Sequence, residues 1–205
     1  MPINAIIFDM DGVLIDATEL HYAALNAALA SIGITIKPED HLSRFNGLPT
    51  RKKLKMLSDE IGLPIALHEL VFELKQIETL RLAAQNTKVR IKTIEMLERL
   101  TEDGLALAVA TNSIRLTTEL FLNLAGIRDY FRHVISNEDI ARAKPYPDIY
   151  LHACELLGIA PSNVLVIEDS EYGVTAASSA GCHVLKIDGP ADLNLHDVIE
   201  FLDGL

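Results

Sequence analysis

The chain has 205 residues, nearly half of them apolar, and a formal net charge of −11. That length suits one domain with a modest insert and a substantial core. The acidic balance and the lack of a basic stripe make nucleic acid and anionic membrane poor partners, and no apolar run reaches membrane-spanning length. Cys154 and Cys182 lie in apolar or small-residue surroundings and read as buried, reduced thiols rather than as a disulfide or metal site. The chain opens directly on a strand, without the basic region and apolar stretch of a signal peptide, which predicts a cytoplasmic protein.

The first predicted strand, Ala5–Phe8, runs into Asp9-Met10-Asp11-Gly12. Residues i and i+2 of a strand share a face, so Asp9 and Asp11 project toward one pocket unless the chain bends between them, and Gly12 permits a sharp turn directly after. One carboxylate beside a divalent cation can act as a nucleophile while the second carries a proton, which suits phosphoryl transfer. The plainer reading is a buried strand and a polar loop, with Asp16 capping the next helix.

From about 16 to 87 no strand pattern occurs. Asp16-Ala17-Thr18-Glu19 reads as a capping box opening a helix with Leu20, Ala24, Leu25, Ala28 and Leu29 at helical spacing. Further helices are predicted over 50–61 and 66–84, divided by Gly62-Leu63-Pro64. Helical segments with no strand among them predict a separate cap.

After the cap, strands and helices alternate. A strand over 105–110 ends in Thr111-Asn112-Ser113, and a short one comes next at 133–135. Ala143-Lys144-Pro145-Tyr146-Pro147-Asp148 places a lysine before a proline-stiffened helix start, with Asp148 as the expected cap. A strand over 164–167 ends in Glu168-Asp169-Ser170, and the last predicted strand covers 183–187. Such alternation predicts a parallel sheet covered on both faces, with its chemistry at the strands' C-terminal ends.

Taken singly, Thr111 reads equally as a strand-end cap, Lys144 as a solvated charge and Glu168-Asp169 as a loop. In this order and spacing, however, the motifs resemble those of the haloacid-dehalogenase-like hydrolase superfamily, in its phosphatase and phosphomutase branch with a small helical cap. The resemblance covers about 4–187. It implies an α/β fold: a doubly wound parallel sheet, Rossmann-like, formed by 1–15 and 88–205, with an all-helical cap of 16–87 inserted after the first strand.

The same resemblance implies that Asp9 is the nucleophile that becomes an aspartyl-phosphate. Asp11 matches the general acid and base, whose carbonyl also binds the metal. Thr111 matches the hydroxyl that bonds a phosphoryl oxygen, and Lys144 the cation that holds nucleophile and phosphate together. Asp169 matches the acidic Mg²⁺ ligand, with Glu168 in the metal site beside it. The true dehalogenases lack the second acid of the first motif, so Asp11 argues against dehalogenation. The chemistry is consistent: Mg²⁺ takes carboxylates, waters and substrate phosphate as ligands. Lys144 adds a point charge, and the Asn112 and Ser113 amides are further donors for charge spread over the equatorial oxygens.

Within the cap, His21, Arg44, Asn46, Gly47, Arg51, Lys52, Lys53, Lys55 and Lys75 are the polar candidates to face the site, although a lysine run also describes a solvated helix face. Phe45-Asn46-Gly47-Leu48-Pro49 resembles the substrate-specificity loop of capped members. His21 resembles a cap position that approaches substrate in β-phosphoglucomutase-like proteins. Ser170 and Gly173 are expected to shape the metal loop.

The expected activity is therefore a Mg²⁺-dependent phosphatase of a small phosphorylated metabolite, a sugar or polyol phosphate, working as a monomer or weak dimer. A β-phosphoglucomutase-type mutase would use the same core. Mutases carry a serine-arginine pair after the cap glycine, whereas here Pro49-Thr50-Arg51 sets the arginine one place later, which favours the phosphatase. A phospho-accepting receiver domain is shorter, carries its acid pair and its phosphorylated aspartate on different strands, and has no cap. A catalytically silent binding protein is the last alternative, and the intact motifs speak against it.

Overall fold

The structure is a computed structural model that describes residues 2–87 and 90–205. Five parallel strands form one sheet: β1 (Ala5–Phe8) at the centre, β2 (Ala106–Ala110) and β4 (Val164–Glu168) beside it, and β3 (His133–Ile135) and β5 (His183–Lys186) at the edges. In register, Ile7 lies between Ala108 and Val166. Every residue of the three inner strands is buried. A parallel sheet covered on both faces needs such uninterrupted apolar runs, because neither face meets water.

Alternation along the strands divides the apolar residues between two layers. Ile6, Phe8, Leu107, Val109, Leu165 and Ile167 pack on one side with α5 (Ile91–Glu102), α6 (Arg115–Leu124) and α9 (Leu195–Asp203). Ala5, Ile7, Ala106, Ala108, Val164 and Val166 pack on the other with α7 (Asp148–Leu157) and α8 (Glu171–Ala180). Small residues on this second face let the helices approach closely.

Between β1 and β2 the chain forms the helical cap: α1 (Thr18–Ala30), the short α2 (Pro38–Asp40) continued by a π-helical turn at His41–Phe45, α3 (Thr50–Ile61) and α4 (His68–Asn86). It has its own core of Leu25, Leu29, Ile36, Phe45, Leu54, Leu57, Leu63 and Val71. The expected cap–core junction at 87 and 88 adjoins 88 and 89, which lie outside the described residues, as does Met1. Among the described residues no helix is long and apolar enough to cross a membrane.

Two predicted caps are corrected. α1 begins with Ala17 at its N-cap and no side-chain cap bond, so Asp16-Ala17-Thr18-Glu19 is not a capping box. The chain enters this helix from a tight turn in which Gly12 and Leu14 are tied to Ile15 and Met10, leaving Ala17 buried and Asp16 exposed. Asp148 is the first helical residue of α7, not its cap, and its carboxylate is drawn sideways by Arg142 at 2.9 Å. Ser170, by contrast, does cap α8, accepting from the Gly173 amide.

Candidate active site

The catalytic candidates converge because β1, β2 and β4 all end at the same edge of the sheet. From β1 the chain steps outward to β2 and β3 and then crosses back to β4 on the other side of β1, and at such a switch point the strand ends diverge to leave a crevice. Asp9, Asp11, Thr111, Asn112, Ser113, Lys144 and Asp169 line one cavity there, of about 610 Å³.

Lys144 is the hub of the buried side. Its Nζ donates to Asp9 Oδ1 at 2.6 Å, to Glu168 Oε1 at 2.6 Å and to the Ala110 carbonyl at 2.9 Å. Burial alone would lower the Lys144 pKa, but Asp9 and Glu168 hold it above its ordinary value, so the ammonium stays charged. Asp9 is pushed well up by burial against the pull of Lys144, with Glu168 and Asp169 adding repulsion.

Glu168 is fully buried and richly bonded. Its Oε1 also accepts the Tyr150 hydroxyl at 2.6 Å, while Oε2 accepts from the Asp169 amide and from the Ser170 amide and hydroxyl. A side chain at Gly173 would collide with it, since a Cβ there falls 1.7 Å from Glu168 Oε1. Glu168 thus fixes Lys144 and the loop after β4.

The carboxylate oxygens of Asp9, Glu168 and Asp169 lie within 4.8 Å of one another. One buried lysine faces these acids, and burial together with Glu168 raises Asp169 to about 7. A hard divalent cation relieves such repulsion, and an all-oxygen donor set suits it. Gly12 completes the cradle: its φ is +89°, and a Cβ there would sit 2.1 Å from Asp169 Oδ2. Only glycine lets Asp169 come so close.

Asp11 is held from both sides, by Ser113 of the core and His21 of the cap. Ser113 Oγ donates to its Oδ2 at 2.6 Å, and His21 Nε2 lies 3.2 Å from Oδ1. Burial would raise Asp11, but His21 and the Ser113 hydroxyl outweigh it and keep the carboxyl below its usual range. His21 is itself lowered, by burial and then by Lys75, against the pull of Asp11. Thr111 Oγ1 accepts the Ser113 amide at 3.1 Å, which occupies that amide but leaves the Thr111 hydroxyl hydrogen to donate.

Asn112 spans cap and core: its Nδ2 donates to the Gly47 carbonyl at 2.8 Å and its Oδ1 accepts the Lys144 amide at 3.2 Å. Gly47 adopts a φ of +72° and packs against Ser170, where a Cβ would come within 3.3 Å. Of the other cap candidates, Asn46, Lys53, Lys75 and Arg51 line the cavity. Arg51 is engaged with Glu69 through paired bonds of 2.7 and 3.0 Å and lies over Phe72. Arg44, Lys52 and Lys55 turn away, toward Glu60, Tyr172 and Asp59 respectively, as a solvated face does.

Tyr150 is the residue that sequence reasoning missed. Its signal was a hydroxyl on an otherwise apolar stretch of α7, beside Ile149, Ala153 and Cys154. Both cysteines are free, Cys154 buried and Cys182 half-buried.

Comparison with known proteins identifies the family and fold. Residues 6–187 match the haloacid dehalogenase-like hydrolases. The chain is 34% identical over 183 residues to a phosphorylated carbohydrates phosphatase of Thermotoga maritima, covering 87% of this chain and 82% of that protein. It is 30% identical over 197 residues to a phosphoglycolate phosphatase of Nitrosospira multiformis, covering 91% and 84%. Mutant CbbY of Rhodobacter sphaeroides in complex with xylulose-(1,5)bisphosphate superposes with a TM-score of 0.84 at 26% identity, over 91% of this chain and 87% of that one.

Fold and site together define a hydrolase built on a parallel, doubly wound sheet with a helical cap over its strand ends. The chain belongs to the haloacid dehalogenase-like hydrolase family.

Proposed function

We propose that the protein is a Mg²⁺-dependent phosphatase that hydrolyses a small phosphorylated metabolite, a sugar or polyol phosphate, through an aspartyl-phosphate. The observation that carries this reading is the Lys144 ammonium bridging Asp9 and Glu168 beneath the cavity into which Asp11 faces. Phosphatases of phosphorylated carbohydrates and of phosphoglycolate among its relatives support it.

Lys144 occupies Oδ1 of Asp9 and leaves Oδ2 to attack phosphorus. As that oxygen–phosphorus bond forms, the ester bond breaks and the leaving alkoxide takes a proton from Asp11. The resting Asp11 favours its ionised form; an anionic ester beside it raises its affinity for the proton it must give. Asp11 then removes a proton from water, the water oxygen attacks phosphorus, and inorganic phosphate leaves with Asp9 regenerated. Acid–base assistance of this kind is worth on the order of 10²–10⁴-fold. The Thr111 hydroxyl and Lys144 stabilise charge on the phosphoryl oxygens.

Asp9, Asp169 and the Asp11 carbonyl would hold the Mg²⁺, with Glu168 beside them; when bound, it neutralises the charge that otherwise keeps ester and carboxylate apart. The free cysteines fit a reducing compartment, the cytoplasm.

Phosphate release measured over sugar, polyol, glycolate and nucleotide monophosphates with Mg²⁺ tests the proposal. Glucose 1-phosphate with a trace of hexose bisphosphate separates it from a mutase. Glucose 6-phosphate forming much faster than free phosphate would overturn it; rapid phosphate release from a sugar or polyol phosphate, lost in Asp11→Asn, is the expected result.

A further inference from the structure

Two lysines in the cap have no counter-charge suited to their position. Lys53 on α3 and Lys75 on α4 are 6% and 7% exposed, and both line the cavity above Asp9 and Lys144. Lys53 has no hydrogen-bond or ion-pair partner among the described residues. Lys75 reaches His21 Nδ1 at 3.3 Å. The acid whose charge both of them feel is Asp11, already held by Ser113 and His21. Glu73 also lines the cavity but lies toward Arg51, which Glu69 engages.

Burying an ammonium without a partner is costly, several kcal/mol for an isolated ion by order of magnitude. Burial, and after it repulsion from Lys75, accordingly lowers Lys53 to about 7, and burial lowers Lys75 to about 8 against the pull of Asp11. Such a pair persists in a cavity wall when something that enters the cavity supplies the missing charge. The transferring phosphoryl group does not, because Asp9, Thr111 and Lys144 hold it on the opposite, core side. The cavity's 610 Å³ leaves room for a second group, within the range of about 300–1,000 Å³ usual for small-molecule sites.

We infer that Lys53 and Lys75 form a subsite for a second anionic group of the substrate, a carboxylate or a second phosphate, borne at the end remote from the transferring phosphoryl. This rests on the phosphatase reading and narrows its substrate class to phosphate esters with an anionic tail. It also accounts for the site's selectivity in a protein of net charge −11, whose overall field repels anions. A neutral-tailed sugar phosphate would leave both buried ammonium groups without a counter-charge, a penalty that discriminates strongly.

The test is a binding measurement that does not depend on turnover. Asp9→Asn protein with Mg²⁺ is titrated calorimetrically with phosphoglycolate against 2-hydroxyethyl phosphate, and with fructose 1,6-bisphosphate against fructose 1-phosphate. A charged hydrogen bond of about 1.5–3 kcal/mol predicts that the second anion tightens Kd by roughly 10- to 100-fold in at least one pair. The pair that shows the effect identifies carboxylate or phosphate. In the Asp9→Asn/Lys53→Met protein that advantage falls at least severalfold, and Lys53→Arg in the same background retains most of it. Lys53→Met removes an unpaired buried charge, so its thermal unfolding midpoint should not fall; a folded variant is thereby verified. Equal affinity within both pairs, or an advantage that survives Lys53→Met, overturns the subsite. Hydrolysis of the same compounds by wild-type protein is scored separately, so absent turnover with a retained binding preference would overturn the phosphatase reading alone.

Discussion

The Tyr150 hydroxyl donates to Glu168 Oε1 at 2.6 Å, the same oxygen that receives the Lys144 ammonium. Burial and the neighbouring Glu168 push the Tyr150 pKa well up, so the phenol keeps its proton and remains a donor. Through Glu168, a residue with no place in the cavity lining steadies the lysine that does line it.

Tyr150→Phe removes this donor without opening a large void. The buried Glu168 oxygen keeps Lys144 but loses one bond, at a cost of about 1–3 kcal/mol. Calorimetry should show a drop in Tm of several degrees, given about 2–4 °C per kcal/mol for a chain of this size. An unchanged Tm would mean that Tyr150 adds nothing to holding Glu168.

Asp9→Asn and Asp9→Ala should abolish turnover, because neither an amide nor a methyl group can accept the phosphoryl group. Phosphate release by purified variants is the measurement. Asp9→Ala protein working near the wild-type rate would sink the nucleophile assignment.

Activity should vanish in excess chelator and return with added Mg²⁺, and Asp169→Ala should raise the Mg²⁺ concentration needed for half-maximal rate. The variant removes one of the carboxylates whose oxygens cluster within 4.8 Å, and a site that retains waters has few other ligands. Full activity under chelation would contradict the metal requirement.

Acid should weaken the cap through His41. Burial, and after it repulsion from Lys53, His21 and Lys75, lowers its pKa from 6.5 to about 4. Between those values the unfolded chain binds a proton that the folded chain does not, so stability rises with pH there and is lost as pH falls from 6.5 toward 4. His41 lies against Tyr22 at 5.2 Å, and its Nδ1 is buried without a partner, so protonation finds no compensation. Melting curves across this range should show a smaller acid loss of Tm in His41→Phe than in wild type. Parallel curves would remove His41 as the cause.

Much of the fold was legible because its signals are local. The inner strands are short apolar runs that end in acids or hydroxyls, and the helical cap was visible as a stretch of helical periodicity without strand residues. The caps at Asp16 and Asp148 were misread because residue type at a helix start does not report the angle at which the chain arrives. At Asp148 a nearby arginine offered the carboxylate a better partner than the helix amides.

Residue order alone determined which chemical groups stand at the strand ends, since apolar periodicity dictates where each strand stops and which side chains come directly after it. Tertiary structure alone decided how those groups share their charges. Asp9 and Lys144 are 135 positions apart and meet because parallel crossovers return every strand to the same edge of the sheet. Lys52 and Lys53 are neighbours of identical type, yet Lys52 faces outward over Tyr172 while Lys53 is buried beside the cavity. One residue along a helix turns a side chain by roughly 100°, and only the packing of α3 against the rest of the cap and the core decides which of two lysines loses its water.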